Sequence, residues 1–386
     1  MLKATANRAI AQPEVRWQCY DLLGVVYSLA PLVLARNDLF ELIFRSKSRQ
    51  EKMNNFLRTP VPSAWKAAAF VDRDQWIVTL LAAEQKELLE ATKRVRMEGL
   101  SALEFDIADF QIPQLASRIA DILDELENGR GFVMLRGVPV DGLDDDDLYR
   151  LYWGLGQYFG TPISQNRRGE RIVEVTEQGV RYGSQVRGYM TTAHLMPHSD
   201  ASDLVSLFCV QPALEGGQSC IASAMEMYNV ILDEHPDYLE FLCGGFHHSL
   251  RGESATGDPD EVTVNAIPVF SWHSGKLSCH FNRRLILQGA EKSGRTLSAD
   301  EASIIDYVND LALRDDIRFD MSFRRGDVQL LNNHMIVHSR RGYVDDPSCK
   351  RRLLRLWTNV PNGRPLADAF ADRTNGGPRG GMRVSS

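Results

Sequence analysis

His198-Ser199-Asp200, followed 140 residues later by His338 within Leu331-Asn-Asn-His-Met-Ile-Val-His-Ser-Arg340, is the stretch on which the fold turns. Two imidazoles and one carboxylate can occupy one face of an octahedral Fe(II), leaving three cis positions for a chelating co-substrate and dioxygen. On a strand, side chains i and i+2 point to the same face, so one strand could supply both His198 and Asp200. The third ligand must then come from a distant strand folded alongside. About a dozen residues beyond His338 stands the cationic cluster Lys350-Arg351-Arg352, with Arg355 following on the strand-like run Leu353-Leu-Arg-Leu-Trp357. A dicarboxylate could be anchored there, because a guanidinium makes two parallel charge-assisted hydrogen bonds and keeps its proton.

Working outward, short strand-like segments dominate from about residue 168: Ile172–Val175, Leu204–Val210, Ser219–Ala222, Val269–Trp272, Leu277–Phe281, Val328–Leu331 and Leu353–Trp357. Ser274-Gly275 between two of them marks a tight turn. Helical spacing covers Glu84–Met97, Leu115–Leu126, Leu148–Phe159, Ala224–Leu232 and Ser298–Leu313, the last opened by a Ser298-x-x-Glu301 capping box. Short strands with peripheral helices and a metal triad drawn from distant segments predict a mainly β protein with a double-stranded β-helix, or jelly-roll, core. Three regions follow: an N-terminal helical extension over 1–70, the catalytic domain over 71–363, and a Gly-rich tail over 364–386 expected to be disordered. The extension is read as packing on the core, with a dimerisation element (hence a homo-oligomer) or a wall of the substrate pocket as the sharper alternatives.

Several segments in order resemble the taurine/2,4-dichlorophenoxyacetate dioxygenase (TauD/TfdA) family of Fe(II)- and 2-oxoglutarate-dependent oxygenases. They are Gly131-Phe-Val-Met-Leu-Arg-Gly137, Leu155-Gly-Gln-Tyr-Phe-Gly-Thr-Pro162, His198-Ser-Asp-Ala-Ser-Asp203 and Glu215-Gly-Gly-Gln-Ser-Cys220. Arg325-Gly-Asp-Val-Gln-Leu-Leu-Asn-Asn333, His338-Ser-Arg340 and Arg351-Arg-Leu-Leu-Arg-Leu-Trp357 complete the set. The resemblance implies that His198, Asp200 and His338 ligate iron. It also implies that an arginine binds the distal carboxylate of 2-oxoglutarate with help from a hydroxyl. Arg351 fits the arginine, with Arg352 as the competing register, and Ser219 stands where relatives carry threonine. The family reaction uses O2 and converts 2-oxoglutarate to succinate and CO2 while an aliphatic C–H bond is oxidised. The outcome is hydroxylation, or desaturation or cyclisation. Halogenating relatives lack the carboxylate, so Asp200 argues against halogenation.

In taurine-type relatives a second arginine binds the acidic head of the substrate, which by resemblance falls on Arg355; a structural role for Arg355 carries equal weight. Gln165 and Asn166, after the Thr161-Pro162 turn, are candidates for a substrate-binding loop over the iron and also read as surface loop residues. His194 reads as a loop or pocket-wall residue, and His247, His248, His273 and His280 as satisfied strand histidines. His334 shares a strand face with His338, but at roughly 13 Å it is too far to bind the same ion.

Composition narrows the function further. Formal charge is −7 over 386 residues with no basic block, which argues against nucleic acid or anionic membranes as partners and leaves a small-molecule substrate. The six cysteines form no Cys-x-x-Cys pair, and the longest apolar run, Leu22 to Ala35, is interrupted by Pro31. Reduced thiols in a cytoplasmic protein are therefore expected. Two rival readings remain at this stage: a metal-dependent hydrolase or isomerase without 2-oxoglutarate, and a non-catalytic binding protein on the same fold.

Overall fold

The run Arg352-Leu-Leu-Arg-Leu-Trp-Thr-Asn359 forms a strand whose alternate side chains part to two faces, and this parting organises the molecule. Leu354 and Leu356 join one apolar cluster, while Trp357 joins a second. A computed structural model describes residues 56–383, apart from 72, 73, 182, 184, 185 and 347. Residues 58–386 make one compact unit.

A seven-stranded sheet runs in the order Ile77–Thr79, Phe132–Arg136, Val328–Asn332, Leu204–Gln211, Arg352–Asn359 and Thr161–Pro162, with Ile172–Val175 also paired to Arg352–Asn359. Ile77–Thr79 lies parallel to Phe132–Arg136, and every other pairing in this sheet is antiparallel. A four-stranded antiparallel sheet follows the order Arg318–Met321, Ser219–Ser223, Ile336–Arg340 and Leu195–His198. Phe132, Met134, Val205, Leu331 and Trp357 from the larger sheet meet Ile221, Met321 and Ile336 from the smaller one in a shared core. This is the expected jelly roll. The outer face of the larger sheet is covered by the helices Ala82–Met97, Pro113–Asn128 and Asp145–Gln157, through Leu88, Val95, Leu115, Ile119, Leu148 and Leu151.

The expected helices recur with ends shifted by a few residues, and the Ser298–Glu301 capping box is formed at both of its hydrogen bonds. Ser274 and Gly275 both take positive φ, 49° and 78°, closing the hairpin between Phe270–His273 and Lys276–Cys279. Most of the expected N-terminal extension lies outside the described residues. Its last part already belongs to the core unit: Trp65 is buried against Phe132 at 5.3 Å between ring centroids.

The tail departs from expectation. Residues 364–383 are packed rather than disordered, with a short helix Asp368–Ala371 and Phe370 wholly buried. The glycines serve tight turns, in which Gly377 adopts φ 87°. Arg364 bonds to Glu127 and to the Leu277 carbonyl, and Arg379 pairs with Asp203. Composition alone could not reveal that a few buried anchors offset the entropy of a Gly-rich chain. Among the described residues no helix is long and apolar enough to cross a membrane.

Candidate active site

His198 ends the strand Leu195–His198 and lies directly across from His338 on Ile336–Arg340. Their rings sit 4.4 Å apart between centroids. Asp200 is not on that strand, as the i, i+2 argument required; it follows two residues past the strand end, just before a bend at 201–203. There its backbone N–H donates to Asn333 Oδ1 at 3.0 Å, and its Oδ2 accepts from the Trp357 indole at 3.1 Å. Asp200 Oδ2 stands 3.6 Å from His338 Nε2, and one ligand atom from each of the three residues lies within 4.8 Å of the others. Among the described residues no other group of His, Cys, Asp and Glu gathers so closely.

The donor set suits a divalent iron. His198 Nδ1–H donates to the Met196 carbonyl at 2.8 Å, which fixes the tautomer and leaves Nε2 as the free lone pair. Burial pushes the His338 imidazole down to about 3, aided by neighbouring His198, and burial lowers His198 as well. Burial alone would raise the Asp200 carboxyl. Arg355, the two imidazoles and the Trp357 N–H outweigh it and hold the group below the usual range. Two neutral imidazoles and one carboxylate at neutral pH are the protonation states that metal ligation needs.

The cluster opens onto two cavities. The smaller, about 50 Å³, is lined by His198, Asp200, His338, Ser219, Arg340 and Arg351, among others. Arg351 is buried, its guanidinium lies 5.0 Å from the centre of the Tyr343 ring, and its Nη1 has no partner. Burial lowers its proton affinity. The loop that leads into Ser219 approaches closely because Gly217 has φ 70° and no side chain; a Cβ there would stand 3.3 Å from Arg351 Nε. Ser219 Oγ donates to Gln329 Oε1 at 3.0 Å and keeps its lone pairs.

Arg352 points to the opposite side. It pairs with Asp145 and Glu174, each at 2.5 Å, on the helix-covered face, so the competing register for the co-substrate arginine is not supported. Neighbouring strand residues face opposite ways, and Arg351 and Arg355 both fall on the inner side. Gln165 and Asn166, the candidates for a substrate-binding loop, line neither cavity. Gln165 is fully buried and accepts from Arg355 Nε at 2.7 Å while donating to the Arg355 and Arg171 carbonyls. It therefore aims Arg355. Asn166 closes its own loop through Glu170 and Arg168.

The larger cavity, about 140 Å³, shares His198, Asp200 and Arg355 with the smaller one. Arg355 lies over Tyr189 and Trp357, 5.0 and 5.1 Å from the ring centres, and 3.9 Å from Asp200 Oδ2. His334 sits in the turn before Ile336–Arg340 with Nε2 bonded to Asp203 Oδ1 at 2.8 Å, so it serves the core rather than the metal cluster. Sequence reasoning missed Arg340, Trp357 and Tyr189. Alternation along Leu353–Trp357 places Trp357 beside Arg355, and the His338-Ser-Arg340 run contained Arg340; Tyr189 left no comparable pattern.

A model of the taurine catabolism dioxygenase TauD, TfdA family matches residues 96–357. The chain belongs to that family. Membership makes it an Fe(II)- and 2-oxoglutarate-dependent oxygenase of small molecules. It is 35% identical to FR-33289 synthase of Streptomyces rubellomurinus (strain ATCC 31215) over 343 residues, 86% of this chain and 99% of that one. It is also 26% identical to a uridine-5'-phosphate dioxygenase of Streptomyces sp, over 62% of this chain and 90% of the relative. Among solved structures, an asparagine oxygenase in complex with Fe(II), hydroxyasparagine and succinate superposes with a TM-score of 0.59 at 13% identity. That match covers 74% of this chain and 94% of the other, and at that identity it supports the TauD/TfdA fold alone.

Proposed function

We propose that His198, Asp200 and His338 hold Fe(II), that Arg351 and Ser219 receive the distal carboxylate of 2-oxoglutarate, and that an aliphatic C–H bond of a small acidic substrate is oxidised in the larger cavity. The observation that carries this reading is the position of the cluster, with one wall on each cavity. Iron and 2-oxoglutarate together supply dioxygen activation, with loss of CO2 and release of succinate.

The remaining work falls to the side chains. The His198–Met196 contact keeps one imidazole nitrogen available for the metal, and Trp357 with Arg355 keeps Asp200 ionised. Arg351, desolvated and with Nη1 unpartnered, gains a partner when a carboxylate enters. Its fork matches both carboxylate oxygens, and Ser219 can donate to the same group once its O–H turns away from Gln329 Oε1. Apolar walls at Val205, Leu207 and Phe323 exclude water from the smaller cavity. Arg355, aimed by Gln165, faces the substrate side with Nη2 unpartnered.

The reading is tested by succinate release from 2-oxoglutarate under air with added Fe(II). His198→Ala and His338→Ala are expected to abolish it, because two remaining ligands hold the ion poorly. Undiminished release in either variant would sink the triad.

A further inference from the structure

The larger cavity holds more positive charge than a single carboxylate can answer. Arg187, Arg251, Arg284, Arg355 and Arg373 all line it, and among the described residues Asp200 is the only acid on its wall. Arg187 is matched by Glu253 at 2.9 Å. Arg373 is buried, stands 3.9 Å from Asp203 Oδ1, and leaves Nη1 without a partner. Arg251 is the least compensated. Half-buried, its guanidinium has no hydrogen-bond or ion-pair partner among the described residues, its backbone is held at φ 53°, and desolvation with Arg187 and Arg284 outweighs Glu253 and Asp200 and pushes its proton affinity down to about 9. His248 adds two buried ring nitrogens with no partner, contrary to the satisfied strand histidine expected from sequence. Its ring stacks on His280 at 5.0 Å.

Buried guanidinium groups without partners are costly, and a left-handed backbone at a non-glycine residue adds strain that persists where the surroundings over-determine it. The unpaired charge is relieved by an anion of matching charge. A monocarboxylate offers two oxygens and one charge, which would leave at least one of these cations unanswered. A terminal phosphoryl group offers three strong acceptor oxygens and close to two charges.

We propose that the larger cavity is a subsite for a dianionic –PO3 head group, held by Arg251, Arg355 and Arg373 with His248 beside it, so that the substrate is a small phosphate monoester or phosphonate. The proposal rests on the reading of His198, Asp200 and His338 as the iron site, because His198 and Asp200 lie on the same cavity wall. It narrows the substrate from acidic to dianionic and names Arg251 as the residue that selects the charge. The cavity, at about 140 Å³, has room for a head group with a short carbon chain.

The test uses the full chain, loaded anaerobically with Fe(II) and 2-oxoglutarate, and four-carbon probes that differ in the head group: butylphosphonate, butyl phosphate, butanesulfonate and pentanoate, with adipate as a dicarboxylate. Calorimetry reads binding, and the visible charge-transfer band of the iron chelate is recorded separately. Butylphosphonate or butyl phosphate is expected to bind at least about tenfold more tightly than the sulfonate or either carboxylate, the scale of one added charge-assisted hydrogen bond. Whichever of the two binds identifies a P–C or a P–O–C substrate. Arg251→Gln should erase that preference without lowering the melting temperature, because it removes a desolvated charge that has no hydrogen-bond partner. A mainly structural Arg251 would do the reverse, with lower stability and an intact preference. Equal binding of the monoanions, or tighter binding of adipate, overturns the proposal. A missing chelate band alongside retained phosphonate preference would instead refute the iron and 2-oxoglutarate reading and leave the subsite standing.

Discussion

Arg351 and Arg352 are adjacent in sequence and opposite in surroundings, so replacing each by glutamine separates the co-substrate anchor from a surface ion pair. Arg351 is buried in the smaller cavity with Nη1 unpartnered, and the Tyr343 ring at 5.0 Å and Asp345 compensate its charge only in part. Removing one member of a buried carboxylate–guanidinium pair costs about 2–5 kcal/mol. The dissociation constant for 2-oxoglutarate should therefore rise by roughly 30- to 5000-fold in Arg351→Gln. Stability should fall by no more than about 1 kcal/mol, since relief of a desolvated charge offsets loss of the ring contact. Arg352 instead bridges Glu174 and Asp145, and Asp145 is mostly exposed. Arg352→Gln is expected to lose at most about 1 kcal/mol of stability and to leave 2-oxoglutarate binding unchanged. Anaerobic titration of the Fe(II)-loaded protein, followed by the visible band of the chelate, reads the first quantity, and urea unfolding the second. Wild-type 2-oxoglutarate affinity in Arg351→Gln, or an equal loss in Arg352→Gln, would refute the assignment.

Three further outcomes are expected. Gln165→Leu leaves Arg355 Nε without its acceptor at 2.7 Å, so it should destabilise the fold by about 1–3 kcal/mol and weaken substrate binding more than 2-oxoglutarate binding; equal effects on both ligands would place Gln165 outside the substrate side. Phe370→Ala should cost about 3–5 kcal/mol in urea unfolding, as for a fully buried aromatic side chain, whereas a loosely attached tail would show no change. Burial holds His248 at about 3 and His334 at about 4, both below the unfolded value of 6.5. The unfolded chain then takes up more protons as pH falls, so the stability present above 6.5 is lost between 6.5 and 4. The slope from these two groups approaches about 2.7 kcal/mol per pH unit, and a flat urea midpoint across that window would contradict their burial as neutral rings.

The candidate iron site was legible because its residue types are rare in combination: a His-x-Asp step, a distant histidine and an arginine a dozen residues on. The strands were legible where apolar β-branched residues cluster, as in Val328–Leu331 and Leu204–Val210. The substrate side was not. His248 and Arg251 share one segment, Arg355 and Arg373 come from two others, and only the folded chain brings them to one cavity. The choice between Arg351 and Arg352 needed the strand's facing, which the sequence leaves open by one residue. The tail misled because glycine content reports flexibility of the unfolded chain and says nothing about a single buried phenylalanine. Gln165 and Asn166 read alike in sequence, yet one orients Arg355 and the other folds its own turn.

The central claim is that one metal cluster serves a 2-oxoglutarate slot and a substrate cavity together. Its most direct test is anaerobic addition of Fe(II) and then 2-oxoglutarate to the wild-type chain and to His338→Ala, with the visible chelate band recorded and succinate measured after air is admitted. The account predicts a band and stoichiometric succinate in the wild type and neither in the variant. A wild-type chain that binds Fe(II) yet shows no band and forms no succinate would contradict it.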